Sequence, residues 1–227
     1  MRRFRAESAY GEPFMASDHD PVRFRSAETV DVAGRSLPLS SVFAYDTARW
    51  DLRAIVAEFF DTDALEMLHL DPRWNPQKAD LTLPHHFVTR NSWDVSKALH
   101  TAVIERSMAL VRSLVFDHID GFAGPIRSCQ PVAMMRVNFH GSRAILRFHR
   151  DAEYGQRPNL VNIWLPVTRT FESNSMYVES APGLSDFKPV ELEYGEGFMF
   201  YGTEMMHGTL DNMSGATRIS YDFRFSV

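Results

Sequence analysis

Between Trp50 and Gly124 two stretches of this chain repeat apolar positions at helical spacing, whereas beyond Pro131 it breaks into short runs in which apolar and polar residues alternate. From Trp50, the stretch "WDLRAIVAEFFDTDALEMLHL" sets Leu52, Ile55, Val56, Phe59 and Phe60 on one side of an amphipathic helix. A second helical stretch runs from about Val95 to Asp117, opening after Asn91-Ser92 and closing near Gly121 to Pro125. Between them, the three prolines of Asp71 to Pro84 predict a long loop of the kind that serves as a lid. Residues 1–20 are polar and aperiodic and read as a loose arm, leaving residues 21–227 as one domain.

The alternating runs are "PVAMMRVNFH", "RAILRFH", "NLVNIWLPVT", "NSMYVES", "FKPVELEYG", "GFMFYG" and "TRISYDFRF". Helical support over about 50–125 followed by a strand core over about 131–225 predicts an α+β, mainly β fold. The expected form is a β-sandwich or jelly roll with helices buttressing one sheet. In "VAMMRVNFH" one face carries Met135, Val137 and Phe139 and the other Arg136, Asn138 and His140. In "NLVNIWLPV" Val161, Ile163 and Leu165 lie opposite Asn162 and Trp164. Polar faces of this kind line an internal cavity or meet water, and a single strand does not separate the two.

Composition narrows the functions available. With 44% hydrophobic and 12% aromatic residues among 227, the chain can fill a sizeable core. A net charge of −5 argues against non-specific nucleic-acid binding, and no apolar run approaches the length of a membrane span. The single Cys129 excludes an intramolecular disulfide, and the N-terminus lacks a secretory apolar core, so a cytoplasmic protein is expected.

Candidate chemistry begins with three His-x-Asp pairs, which context tells apart. His69-Leu70-Asp71 runs into Pro72 and reads as a turn, and His118-Ile119-Asp120 stands before Gly121 as the cap of a helix. Only His149-Arg150-Asp151 follows strand-like sequence, where a period of two points both side chains to one face. An imidazole and a carboxylate so placed supply two of the three protein ligands of a non-haem iron site. His207, followed by Gly208 after an aromatic strand, is the candidate third ligand. Eleven residues on, Arg218 and Ser220 share a face, with Ile219, Tyr221, Phe223 and Phe225 on the apolar side. A guanidinium fork beside a hydroxyl on a cavity floor is a carboxylate receptor.

His149-x-Asp151, His207 and Arg218-x-Ser220, in this order on an expected jelly roll, resemble the iron(II)/2-oxoglutarate-dependent dioxygenase superfamily. The stretch from about Pro131 to Phe225 resembles its small phytanoyl-CoA-hydroxylase-like members from bacterial natural-product pathways. Within these it looks most like the streptomycin- and orthosomycin-type biosynthetic oxygenases that act on sugars and aminocyclitols. The resemblance implies a cupin-like double-stranded β-helix in which His149, Asp151 and His207 bind Fe(II). It further implies that Arg218 and Ser220 hold the distal carboxylate of 2-oxoglutarate, with Asn138 or Asn162 expected to touch it near the metal. It also implies that dioxygen and 2-oxoglutarate are consumed to succinate and carbon dioxide while a small polar substrate is hydroxylated or cyclised. Asp151 argues against halogenation, because halogenating members carry a small residue there. Arg136, Glu153, Tyr154, Trp164 and Arg224 are the expected substrate contacts.

Two other functions suit part of the pattern. A cupin-type metal isomerase or epimerase would use the same triad without 2-oxoglutarate, and Arg218-x-Ser220 is the feature against it. A non-catalytic sugar-binding sandwich would use His149 and Asp151 as hydrogen-bonding groups and carry no stoichiometric metal.

Overall fold

The computed structural model describes residues 21–74, 103, 105–144 and 147–227. The expected arm, the loop beyond Trp74 and the start of the second helix lie outside these residues.

Short strands come before the helices as well as after them. β1 (Val22–Arg25), β2 (Thr29–Val32), β3 (Arg35–Pro38) and β4 (Ser40–Ala44) precede α1 (Leu52–Phe60). After a short 3-10 turn (Leu65–Leu70) come α2 (Glu105–Leu114), a widened π-turn (Val115–Ile119) and α3 (Asp120–Ala123). The rest is β5 (Ser128–Cys129), β6 (Met134–Asn138), β7 (Leu160–Pro166), β8 (Met176–Val178), β9 (Lys188–Val190), β10 (Glu196–Phe200), β11 (His207–Thr209) and β12 (Arg218–Ser226). The expected order of helices then strands is corrected on this point. β2 and β3 form a hairpin of their own, while β1 and β4 extend the main sheet beyond β10, where runs of four or five residues carried too little periodicity to read.

The main sheet is antiparallel and has the order β1-β4-β10-β7-β12, with β6 and then β5 pairing successive parts of the far edge of β12. A smaller antiparallel sheet, β11-β8-β9, faces it. Two facing sheets connected in this way make the expected double-stranded β-helix, mainly β with helical support. Val161, Ile163 and Leu165 of β7 and Ile219, Tyr221, Phe223 and Phe225 of β12 are buried with Leu52, Val56 and Phe60 of α1 and Val111 and Leu114 of α2. The helices therefore cover one face of the main sheet, and a hydrogen bond of 2.7 Å between the Ser107 and Tyr221 hydroxyls ties α2 to β12. A second cluster, with Trp164, Phe198 and Phe200 on one side and Met176, Val178 and Met205 on the other, fills the space between the sheets.

Local chemistry sets the helix ends. Asp51 caps α1 by accepting from Ala54 N at 2.9 Å, and Asp61, at φ 53°, ends it in the left-handed conformation. The periodic stretch from Trp50 thus yields one helix and a 3-10 turn, not a single helix. His118 is not a C-terminal cap: the chain stays helical to Ala123, and its Nε2 donates to the Ala44 carbonyl at 2.8 Å, fastening the helical layer to β4. Among the described residues no helix is long and apolar enough to cross a membrane.

Phe60, fully buried and edge-on to Trp74 with ring centroids 4.9 Å apart, tests this packing. Phe60→Ala is expected to cost about 3–5 kcal/mol in chemical denaturation. A cost below about 1 kcal/mol would mean that α1 is not part of the cooperative core.

Candidate metal centre

His149 and His207 face each other as an isolated antiparallel pair at the edge of the smaller sheet. Each donates its N–H to the other's carbonyl at 2.9 Å, which puts both imidazoles on one side of the pair. The run Arg143 to His149 was expected to be a strand; residues 145–146 lie outside the described set, and His149 makes only this bridge. Gly208 allows the close approach, since a Cβ there would stand 3.0 Å from the Phe148 backbone. Arg150 is extended, so Asp151 emerges on the same face as His149, but it opens a 3-10 turn (Asp151–Tyr154) instead of continuing a strand.

The three side chains form a set of possible metal ligands whose ligand atoms all lie within 4.8 Å of one another, and all three are buried. Asp151 Oδ1 is 3.6 Å from His149 Nε2 and 3.7 Å from His207 Nε2. Each imidazole uses its other nitrogen on the backbone: His149 Nδ1 on the Arg147 carbonyl at 2.8 Å, His207 Nδ1 on the Met205 carbonyl at 3.0 Å. With Nδ1 as donor, each Nε2 presents a lone pair towards Asp151, the tautomer that binds a cation. Burial holds His207 below the ordinary histidine range, outweighing the Met205 carbonyl and Asp151, so it is neutral at pH 7.

Asp151 divides its oxygens between two tasks. Oδ2 accepts from Asn162 Nδ2 at 2.7 Å and from Arg224 Nε and Nη2 at 3.1 and 2.8 Å, leaving Oδ1 for the histidines. Burial pushes this carboxyl up, but the Asn162 amide, Arg224 and His207 together hold it below the usual range, so it is ionised. Asn162 and Arg224 are opposite each other on β7 and β12, which means the main sheet reaches across the cavity to orient a ligand carried by the other wall. Gly202 makes room: its carbonyl accepts from Asp151 N at 2.7 Å, and a Cβ on it would stand 2.8 Å from the Asn162 amide.

The remaining cavity face is also polar. Along β12 it carries Arg218, Ser220, Asp222 and Arg224; on β6 Asn138 lies opposite Arg218 and Arg136 opposite Ser220. Arg218 is 2% exposed, donates from Nη1 to the Asn174 carbonyl at 2.9 Å, and has no carboxylate partner among the described residues. Its Nε, Ser220 Oγ, Asn162 Oδ1 and both amide atoms of Asn138 are buried without a hydrogen-bond partner. Burial, with Arg136 nearby, pushes the Arg218 guanidinium down to about 10, still charged at neutral pH.

A cavity of about 300 Å³ opens beside the triad. Of the expected substrate contacts, Arg136, Tyr154, Trp164 and Arg224 line it. Tyr154 is 64% exposed, with its ring edge-on to His149 at 5.1 Å. Glu153 is exposed and does not line the cavity; its carboxylate accepts from Arg150 N at 3.1 Å and shapes the turn. Nor does His140, which accepts from Gly215 N at 3.1 Å. Sequence reading missed Asp222, Gln130 and Gln156, which also line the cavity. It missed Glu179 as well, fully buried, whose carboxylate accepts from Met206, Gly183 and Ser185 N–H groups and lies 3.6 Å from Arg150 Nη2. Glu179 thereby grips the residue before His207 and the residue between His149 and Asp151. Asp222 shares the β12 parity of Arg218 and so had a readable signal; Glu179 had none, because its links to the ligand segments, Met206 N and the Arg150 side chain, are 27 and 29 positions away in sequence.

Asn162→Ala removes a donor to Asp151 without changing charge. Affinity for nickel(II), measured by calorimetric titration, is expected to fall about 10- to 100-fold; unchanged affinity would remove Asn162 from the support of the triad.

No family model matches the chain. It is 29% identical over 180 residues to the streptomycin biosynthesis protein StrG of Streptomyces griseus, a match covering 79% of this chain and 81% of that protein. Among solved structures it aligns with a non-heme monooxygenase, ThoJ in its nickel complex, at TM-score 0.49 and 15% identity over 81% of this chain and 71% of that one. SnoK, a non-heme α-ketoglutarate dependent carbocyclase from nogalamycin biosynthesis, aligns at TM-score 0.41 and 15% identity over 51% of this chain and 58% of its own. The relative found by sequence comes from the same biosynthetic setting that the order of motifs resembles.

Proposed function

We propose that this protein is an iron(II)- and 2-oxoglutarate-dependent oxygenase acting on a small polar, sugar- or aminocyclitol-like intermediate of natural-product biosynthesis. One observation carries the reading: a buried arginine with no counterion among the described residues, flanked by the unsatisfied side chains of Ser220 and Asn138, stands in the cavity of a His-Asp-His triad whose free lone pairs converge. Isolating a charged group from water costs several kcal/mol, and one carbonyl on one of five donors offsets little of it. A ligand carboxylate supplies what Arg218 Nε and Ser220 Oγ lack. This favours the oxygenase over a cupin-type isomerase, which needs no such anion.

His149 Nε2, His207 Nε2 and Asp151 Oδ1 would hold the iron, with Arg224 and Asn162 keeping the second carboxylate oxygen turned away. Arg218 and Ser220 would bind the distal carboxylate of 2-oxoglutarate, and Asn138, directly opposite Arg218 in the sheet, has donor and acceptor to spare for it. The bound metal and keto acid together supply dioxygen-dependent oxidation of a C–H bond, with release of succinate and carbon dioxide. Trp164, Met176 and Phe200 wall that space with apolar surface and limit the water within it. The likeness to a streptomycin biosynthesis protein supports the substrate class, and the polar lining suits a hydroxylated molecule better than an acyl chain. Residues 21–227 act as one catalytic domain in this reading, since β1 and β4 extend the same sheet that carries Arg218.

Arg218→Ala tests the assignment. The variant is expected to retain metal but to need at least about 30-fold more 2-oxoglutarate for half-maximal succinate formation, the lower end of the 2–5 kcal/mol lost with a buried charged partner. An unchanged requirement for 2-oxoglutarate would sink the reading, as would loss of the metal along with the keto acid.

A further inference from the structure

Besides Asp151, a second buried carboxylate serves the segments that carry the triad: that of Glu179, directly after β8. Its Oε1 accepts from Met206 N at 2.7 Å, and its own backbone N donates to the Met206 carbonyl at 3.1 Å. One residue thus holds both backbone groups of the residue before His207. Arg150 stands between the other two ligands. Its backbone is extended, at φ −103° and ψ 142°, which turns its side chain to the face opposite His149 and Asp151. There Arg150 Nη2 lies 3.6 Å from the same Oε1. A single oxygen therefore meets both ligand-bearing segments.

The other oxygen is anchored in the loop that joins β8 to β9. Glu179 Oε2 accepts from Gly183 N at 2.9 Å and from Ser185 N at 3.1 Å. Asp186 closes the same loop, accepting from Ser180 N at 2.9 Å and Ser180 Oγ at 2.7 Å. At the end of the loop Phe187 packs against Phe148, the residue before His149, with ring centroids 4.3 Å apart. The loop thereby touches the chain beside each of the three ligands. A carboxylate that only folded the loop would need Gly183 and Ser185 alone, whereas Oε1 is aimed at the ligand segments.

We propose that Glu179 is a positioning residue of the metal centre, fixing His207 relative to the His149–Asp151 pair through one shared oxygen and coupling the β8–β9 loop to metal binding. This rests on the metal reading of the triad above. A metal draws together side chains from two segments, and a slip of either segment opens the contacts of Oε1. Linkage makes the effect reciprocal: the factor by which the closed loop raises metal affinity is the factor by which metal favours the closed loop. At Arg150, charge and position predict opposite signs. A guanidinium near a cation site repels the cation, so its removal on electrostatic grounds alone tightens metal binding. Removal of a positioning contact weakens it.

The test uses the full chain and zinc(II), which is diamagnetic and binds without turnover. In calorimetric titration Glu179→Gln, which turns an N–H towards backbone N–H groups, is expected to bind zinc at least about tenfold more weakly than the parent. Arg150→Gln, at a half-buried side chain, is expected to weaken zinc about threefold. In the parent, zinc is expected to slow amide hydrogen exchange at Gly183 and Ser185 at least about fivefold by NMR. The Gly34 amide, held by Asp31 Oδ1 in the separate β2–β3 hairpin, is the control and is expected to keep its rate. The proposal is overturned if folded Glu179→Gln binds zinc as the parent does, or if Arg150→Gln binds it equally or more tightly. It is also overturned if zinc slows Gly183 and Ser185 no more than Gly34. Should Glu179→Gln fail to fold, Arg150→Gln and the exchange rates decide. A parent that binds no zinc would instead strike at the metal centre itself.

Discussion

The grip of Asn162 and Arg224 on the outer oxygen of Asp151 is the contact on which the rest of the site depends. It crosses from the main sheet to the wall carrying both histidines, and so turns two facing sheets into one binding site. Its energy is large enough to matter. Hydrogen bonds to a charged group are worth about 1.5–3 kcal/mol each, and three of them rival the several kcal/mol lost in burying a carboxylate. The carboxylate therefore stays ionised with one oxygen held and the other facing the imidazoles, instead of rotating freely. Glu179 gives the opposite side of the site comparable rigidity by gripping the segments that carry all three ligands.

Arg218 presents the reverse situation. Among the described residues its burial is met by a single carbonyl, and the Ser220 hydroxyl and the Asn138 and Asn162 side chains on the same cavity face have atoms without partners too. Buried polar atoms in folded proteins are rarely left unsatisfied, and here several gather on one cavity face. The fold bears that cost because the helix-covered apolar face of the same strands supplies the stability: Ile219, Tyr221, Phe223 and Phe225 alternate with the polar residues of β12 and are buried. One nine-residue strand thus carries core packing on one face and the proposed anion receptor on the other.

Much of this was legible from the sequence, because strand alternation is a strict rule. Period two placed Arg218 with Ser220 and Arg224, Arg136 with Asn138, and Asn162 with Trp164, and the structure puts these residues on the cavity side of the main sheet. The link from Asn162 and Arg224 to Asp151 was not legible, since it joins residues 11 and 73 positions apart across two sheets. Nor were β1 and β4, whose four- and five-residue runs carry too little pattern for periodicity to register. The helical periodicity around His118 gave the right element but misplaced its end, because helix formation continued through Gly121 to Ala123. Asp222 has the same β12 parity as Arg218, so the alternation places it on the cavity face as well.

The central claim is that the triad and Arg218 serve one metal and keto-acid complex. It is tested most directly by anaerobic titration of the iron(II)-loaded protein with 2-oxoglutarate, watching the weak visible absorption that a keto acid gives when bound to iron(II). The account predicts a saturable band with one keto acid per iron. Bound iron with no band at any concentration of 2-oxoglutarate would contradict it.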